Sequence, residues 1–571
     1  MIETEVHQRL RAYLREQGHT QWPHHLTMAR LVARALRVGR SALIQIDALA
    51  AYQGTHRLSY LIPALLWPGP AILALPEETL GSVLQQDILS LQQGLPIIKS
   101  VRTGDRWPQD NFRGLLVTSA ENWLRSRLQN TALFPTDIPT LIDGASDLEQ
   151  WARDLLSIRL SAQDWEALRL AFPCHQEAIR DLRVRITHAI FQHPANPYSC
   201  HLIEEPERSL LRELHELLMN QHPNGQHPNG QLESQINGQL GSQTNSQIPM
   251  RWQIFWQQFW KSPVERLAWS QLDRTVGSVA ICSGPTDISH TLMPVWTQQP
   301  VVLIGAALDE SSKAEQYRQR LGLGDMTCLR FGPDRRNDLV QLYLPDKLPM
   351  PNTSQFKTAA LNEIRTLLNA QGVTASPTVI VIGDVPLKAQ FAALLAAEFG
   401  SRVQLESSVE DQGILVTGWS YWRSQHSPAY PGHRTLVHQT PDHQTPDHQT
   451  QSDLNTQLAH NASPPGLLII VTLPIPSLED PLVAGRVSAY KQRRQDWFKA
   501  YLLPSALSEL QSAIAPLRAR RTTSPSENPS VVALLDNRVN HRSYGARILD
   551  ALSPIARSSY INEDWFRTHE K

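Results

Sequence analysis

Short apolar runs, each bounded by Gly, Pro or polar residues, recur in both halves of the chain and constrain its fold more than any other feature. The first 150 residues contain SALIQI, GPAILALP, GLLVTS and IPTLIDG. From residue 299 onward come QPVVLIGAALD, TVIVIGD, GILVTG, GLLIIVTLP and SVVALLD. Helical segments separate these runs. That rhythm predicts parallel sheets covered by helices, an α/β architecture. The expected division is a first lobe at 1–150, a helical insertion at 151–275, a return to the first lobe at 276–315, and a second lobe at 316–571.

Two tracts fall outside this pattern. Residues 220–249 are rich in Gln, Asn and Gly and carry a tandem QHPNG repeat. Residues 438–450 read HQTPDHQTPDHQT, within a wider polar stretch at 430–464. Neither has the apolar content to build a core, so both read as disordered insertions. The histidines His438, His443 and His448 are read as part of the repeat rather than as metal ligands. By contrast, Trp252, Phe255, Trp256, Phe259 and Trp260 follow helical spacing. They could stack on bases, but the pattern favours a helix that buries an aromatic stripe.

Charge and cysteine content exclude some classes. The formal net charge is −1, so a nucleic-acid surface would have to be local. Cys174, Cys200, Cys282 and Cys328 are far apart and form no CxxC pair, against a zinc or iron–sulfur site. No apolar run has membrane-spanning length, and the N-terminus reads as a charged amphipathic helix rather than a signal peptide. A cytoplasmic protein with no membrane partner is expected.

Specific phrases carry a resemblance. LGLGD (321–325), LYLPDKLPMPN (342–352), LPIPSLEDPLVAGR (473–486), YLLPSAL (501–507) and VVALLDNRVNHRSYGARILDAL (531–552) occur in one order over the C-terminal part. There the chain resembles the DinG/XPD-type superfamily-two DNA helicases. In the N-terminal part, PHHLTMARLVARAL (23–36) is similar to the segment before that family's P-loop, with His25 where the family has Gln. YLIPALL (60–66) resembles the helix after the P-loop. PTLIDGASDLEQWAR (139–153) sits at the DEAH-box strand, and PVVLIGAAL (300–308) at the Ser-Ala-Thr motif. The resemblance implies two RecA-like lobes, ATP with Mg²⁺, and DNA, single-stranded or forked, as partner.

The residues needed for ATP chemistry are missing from the matching positions. A P-loop requires glycines that let backbone N–H groups converge on phosphate, a Lys for the β/γ-phosphates and a Ser/Thr for Mg²⁺. The matching positions hold Ala51, Gln53 and Thr55 for glycines, His56 for Lys and Arg57 for Ser/Thr. No Gly-Lys dipeptide occurs in the chain. Asp143 keeps the place of a Mg²⁺-holding carboxylate, but Gly144 replaces the water-activating Glu and Ser146 the His. Gly305-Ala306-Ala307 lacks both hydroxyls of the Ser-Ala-Thr motif. Arg423 stands where a Glu is expected in the second lobe. Ala515 stands at the arginine-finger position, with Arg518 retained beyond it. Residues 57–142 contain no cysteine, which excludes the iron–sulfur cluster of some relatives.

Loss of an arginine finger alone costs about 10³ to 10⁵ in phosphoryl-transfer rate. Here the phosphate cradle, the Lys, the hydroxyl and the base are absent as well. The expectation is a DinG-like homologue, a pseudoenzyme, that binds nucleic acid in repair or replication beside an inactive ATP site, with a protein partner also possible. Two other readings stand beside it: an active ATP-dependent helicase that uses unconventional residues, and an interaction scaffold without nucleic acid.

Overall fold

The computed structural model describes residues 2–16, 22–95, 99–109, 111–219, 248–262, 264–335, 338–372, 376–406, 412–426, 464–523 and 529–566. The QHPNG tract lies outside these residues except for Ile248 and Pro249, and the HQTPD repeat lies wholly outside them.

Helices α1 (Ile2–Glu16) and α2 (His25–Val38) precede β1 (Ala42–Ile46), which leads into α3 (Ala48–Gln53) and α4 (Leu58–Leu66). Four strands follow: β2 (Ala71–Leu75), β3 (Val101–Thr103), β4 (Leu115–Ser119) and β5 (Thr140–Asp143). Further along come β6 (Ile158–Leu160), β7 (Cys200–Leu202), β8 (Arg266–Asp273) and β9 (Ser278–Pro285), then β10 (Val301–Ala306) and β11 (Thr327–Arg330). The remaining strands are β12 (Val340–Tyr343), β13 (Thr378–Val381), β14 (Val403–Leu405), β15 (Ile414–Thr417), β16 (Leu467–Ile470), β17 (Val531–Leu534) and β18 (Ile555–Ser558).

Two seven-stranded sheets result, in the orders β11-β1-β10-β5-β2-β4-β3 and β14-β15-β13-β16-β17-β12-β18. Every pairing in both is parallel. All residues of β1, β2, β4 and β10 are buried, as apolar runs covered on both faces require. The expected α/β class and the two parallel-sheet lobes are what the chain forms.

The inserted unit departs from an all-helical reading. Strands β6 to β9 form a four-stranded antiparallel sheet in the order β6-β9-β8-β7. They pack with helices around a core that includes Trp165, Ile186, Leu211, Trp252, Phe255, Trp256 and Phe259. The unit spans Ala152–Ile288 together with Pro476–Trp497. Two boundaries therefore move. The segment 276–288 belongs to the insertion, because β9 pairs with β8 along its whole length. Strand β11 belongs to the first sheet, because it pairs with β1, and the second sheet begins only at β12. Composition shifts could not register either pairing. Likewise Pro476–Trp497, read as second lobe, joins the insertion. Its helix Pro481–Gln492 approaches β8 closely enough that a Cβ on Gly485 would lie 2.9 Å from Leu267.

The aromatic stripe is core. Trp252 and Phe255 are fully buried, and Trp252 Nε1 donates to the Asp164 carbonyl at 2.8 Å; Trp260 alone is half exposed. No helix among the described residues is long and apolar enough to cross a membrane.

The packing yields a contrast between two tryptophans. Trp252→Ala should destabilise the inserted unit by about 3–5 kcal/mol through a cavity and a lost hydrogen bond. Trp260→Ala should cost less than about 1 kcal/mol. Urea unfolding followed by far-ultraviolet circular dichroism separates the two outcomes.

Candidate functional site

Strand β1 ends at Ile46, and the segment after it is helical where a phosphate-binding loop would be open. Asp47 caps α3, its Oδ1 accepting from Ala50 N–H at 2.7 Å and its Oδ2 from Trp22 Nε1 at 2.9 Å. A carboxylate of the chain itself thus takes the anion position at this helix start. Gly54, at φ +68°, closes α3. Thr55, His56 and Arg57 then form a 3₁₀ turn into α4. The Arg57 guanidinium folds back over Gly54, where a Cβ would lie 2.8 Å from it, and pairs with Asp87 at 3.3 Å. His25 is buried, with Nδ1 2.9 Å from Ser59 Oγ on α4.

His56 is brought to Asp143. Its Nε2 lies 3.1 Å from both carboxylate oxygens, and its Nδ1 donates to the Ala50 carbonyl at 3.0 Å. The Ala50 carbonyl can only accept, so Nδ1 carries the hydrogen and Nε2 is turned to the carboxylate. Asp143 also accepts from the Tyr60 hydroxyl at 2.9 Å and from the Gly144 N–H at 2.9 Å. Burial pushes the Asp143 carboxyl up, but the charge and hydrogen bond of His56, the charge of Arg57 and the Tyr60 bond outweigh it. The carboxyl is held below its ordinary value. Both oxygens are therefore engaged by donors from the chain.

The other catalytic positions are closed off as well. Gly144 has φ +80°, and a Cβ there would lie 2.7 Å from Pro76, so a Glu does not fit without moving that ring. The Ser146 hydroxyl donates to the Ala306 carbonyl and accepts its N–H, tying the DEAH position to the Ser-Ala-Thr position through backbone. A Cβ on Gly305 would press against Ser146 N at 2.8 Å.

From the second lobe, the helix Ala515–Thr523 packs on α3. Ala515, at the finger position, is buried in the same apolar cluster as Ala48 and Ala50. Arg518 is also buried and donates through Nη2 to the Leu552 carbonyl at 2.7 Å. Burial lowers it to about 10, opposed by the charges of Asp338 and Asp47. Arg423 pairs with Glu509. Arg547 and Glu310 add an ion pair between the second lobe and the first. At the position that matches the arginine finger, the second lobe thus contributes a small side chain to the apolar cluster that holds Ala48 and Ala50.

A Mg²⁺-bound triphosphate needs converging N–H groups, a flexible cation and a free carboxylate. The residues present do not fit that group. The loop is a capped helix, the Lys position holds a ring locked between two oxygens, and the carboxylate is already satisfied. Sequence inspection found His56, Asp143 and Ala515 but not Tyr60, Asp47 or Trp22, which complete the network. Its one available signal was that a buried carboxylate without Mg²⁺ must find donors nearby.

Two substitutions probe this network. His56→Ala leaves Asp143 buried without its main donor and should cost about 3–5 kcal/mol. Asp143→Asn should lower stability at pH 7 by about 1–3 kcal/mol. Because the folded pKa lies below the unfolded one, the parent's advantage is present above roughly pH 4 and is lost as pH falls through the folded value. Urea titrations at pH 7 and pH 3 should show the parent–variant gap shrinking at the lower pH.

Comparison with known proteins agrees with this architecture. Residues 466–555 match the helicase C-terminal domain. A 95-residue stretch is 33% identical to the ATP-dependent DNA helicase YoaA of Escherichia coli (strain K12). That stretch is 17% of this chain and spans only 14% of the relative's length. The chain is similar in fold to S. tokodaii Xpd4, with a TM-score of 0.53 and 9% identity, covering 94% of this chain and 100% of that one. It is also similar to an XPD helicase, with a TM-score of 0.55 and 10% identity over 94% and 99% of the two chains. Residues 466–555 thus match a helicase C-terminal domain, and the chain as a whole shares the two-lobed fold of the XPD structures.

Proposed function

We propose that this protein is a nucleic-acid-binding helicase homologue whose ATP site is inactive, acting on single-stranded or forked DNA without a nucleotide-driven cycle. The observation that carries this reading is the closed network around Asp143. His56, Tyr60 and the Gly144 N–H use the carboxylate that would hold Mg²⁺ in an active relative. The packing of Ala515 against α3 supports it from the other side of the cleft. Electrostatic stabilisation is usually the largest single contribution to catalysis of this kind, and the groups that would supply it are absent or engaged elsewhere. Nucleic-acid binding rests on the family and on what the relatives are named for, since the net charge of −1 gives no general attraction to phosphate.

The reading predicts binding that ignores nucleotide. Fluorescence anisotropy with single-stranded and forked DNA should give an affinity that falls with salt and does not change when Mg²⁺ and ATP, or a non-hydrolysable analogue, are added. An affinity that shifts several-fold with nucleotide would oppose the proposal. So would the absence of DNA binding at low salt, which would favour the interaction-scaffold reading.

A further inference from the structure

The first-lobe part of the site described above lies where strands of the first sheet end: Asp47 after β1, Pro76 after β2, Asp143 at the end of β5 and Ala306 at the end of β10. A different groove, of about 630 Å³, runs along the opposite edge, where β2, β4 and β3 begin side by side. It is lined by Trp67 and Pro68 before β2, Lys99 and Ser100 before β3, and Asn111 to Gly114 before β4, with Arg102 and Gln109 alongside.

Its chemistry is basic and aromatic. The stretch 99–114 holds Lys99, Arg102, Arg106 and Arg113 against Asp105 and Asp110. Arg102, Arg106 and Arg113 are exposed, and none pairs with a carboxylate among the described residues. The Arg102 guanidinium sits over the Phe112 ring, 5.5 Å from its centroid, and Trp107 meets that ring edge-on at 5.2 Å. The arrangement is built in. Gly114 allows it, because a Cβ there would lie 2.4 Å from the Phe112 ring and 2.2 Å from the Ser100 carbonyl. Lys99 spends all three hydrogens on the carbonyls of Ala64, Trp67 and Gly69 at 2.7–2.9 Å, fixing the end of α4 against β3 as the groove floor.

We infer that this groove binds a short run of single-stranded nucleic acid, with Arg102 and Arg113 on phosphates and the Phe112–Arg102 layer stacking a base. Aromatic and guanidinium planes accept any base face, while unpaired arginines track the backbone. The amides of Gln109 and Asn111 stand exposed at the rim to meet base edges. This rests on the nucleic-acid reading above and gives it a location away from the altered ATP site.

The test uses the full chain and fluorescein-labelled oligothymidylate and oligouridylate of about 20 nucleotides, titrated between about 50 and 200 mM salt. Arg102→Gln with Arg113→Gln should weaken binding at least about ten-fold at low salt and reduce the salt slope by about 0.7 per arginine. Phe112→Leu should weaken binding about ten-fold with the slope unchanged. The arginine pair is exposed, so that variant keeps the inference testable if Phe112→Leu does not fold. Parent-like binding by folded variants overturns the groove assignment and leaves the proposed function standing. No binding by the parent overturns both. Equal capture of polyglutamate by the parent overturns the stacking model, since an acidic polymer has charge but no bases.

Discussion

The structure of the first lobe turns on one buried carboxylate. Asp143 ends the central strand β5 at a depth where an uncompensated charge would cost several kcal/mol. His56, Tyr60 and a backbone N–H meet that cost, and the consequences spread outward. His56 must be held by the Ala50 carbonyl, so α3 must be helical, so its start needs a cap, which Asp47 supplies with Trp22 behind it. Once α3 is a closed helix with Ala48 and Ala50 on its buried side, the second lobe can rest Ala515 directly against it.

These replacements are mutually consistent, which separates them from scattered loss. A Lys at position 56 would meet a loop with no phosphate nest, and an Arg at position 515 would enter an apolar contact. A Glu at position 144 would meet Pro76. Restoring any one family residue therefore conflicts with the others, as expected where residues act as a unit. The family-like phrases around β16 and β17 serve packing: alternate residues of both strands enter the cores on the two faces of the second sheet.

Much of the fold was legible because fully buried parallel strands leave continuous apolar runs, and nine of these read directly, from SALIQI to SVVALLD. The short edge strands β3, β11, β14 and β18 did not read, since half-exposed segments of three or four residues leave no clear period. In the insertion, β6 and β7 are three-residue strands divided from their partners by long helices, whereas β8 and β9 form a hairpin across residues 274–277 whose strands the helical reading of this region passed over. At the site, the missing motif residues were visible as absences. What replaced them was not, because Tyr60 and Asp47 acquire meaning only from the distance to their partners.

The most direct measurement is steady-state ATP hydrolysis by the purified chain with Mg²⁺, with and without saturating single-stranded DNA, beside the Asp143→Ala variant. Turnover should be no higher than that of the variant under every condition. DNA-stimulated turnover that Asp143→Ala abolishes would contradict this, because Asp143 would then be serving a metal rather than His56 and Tyr60.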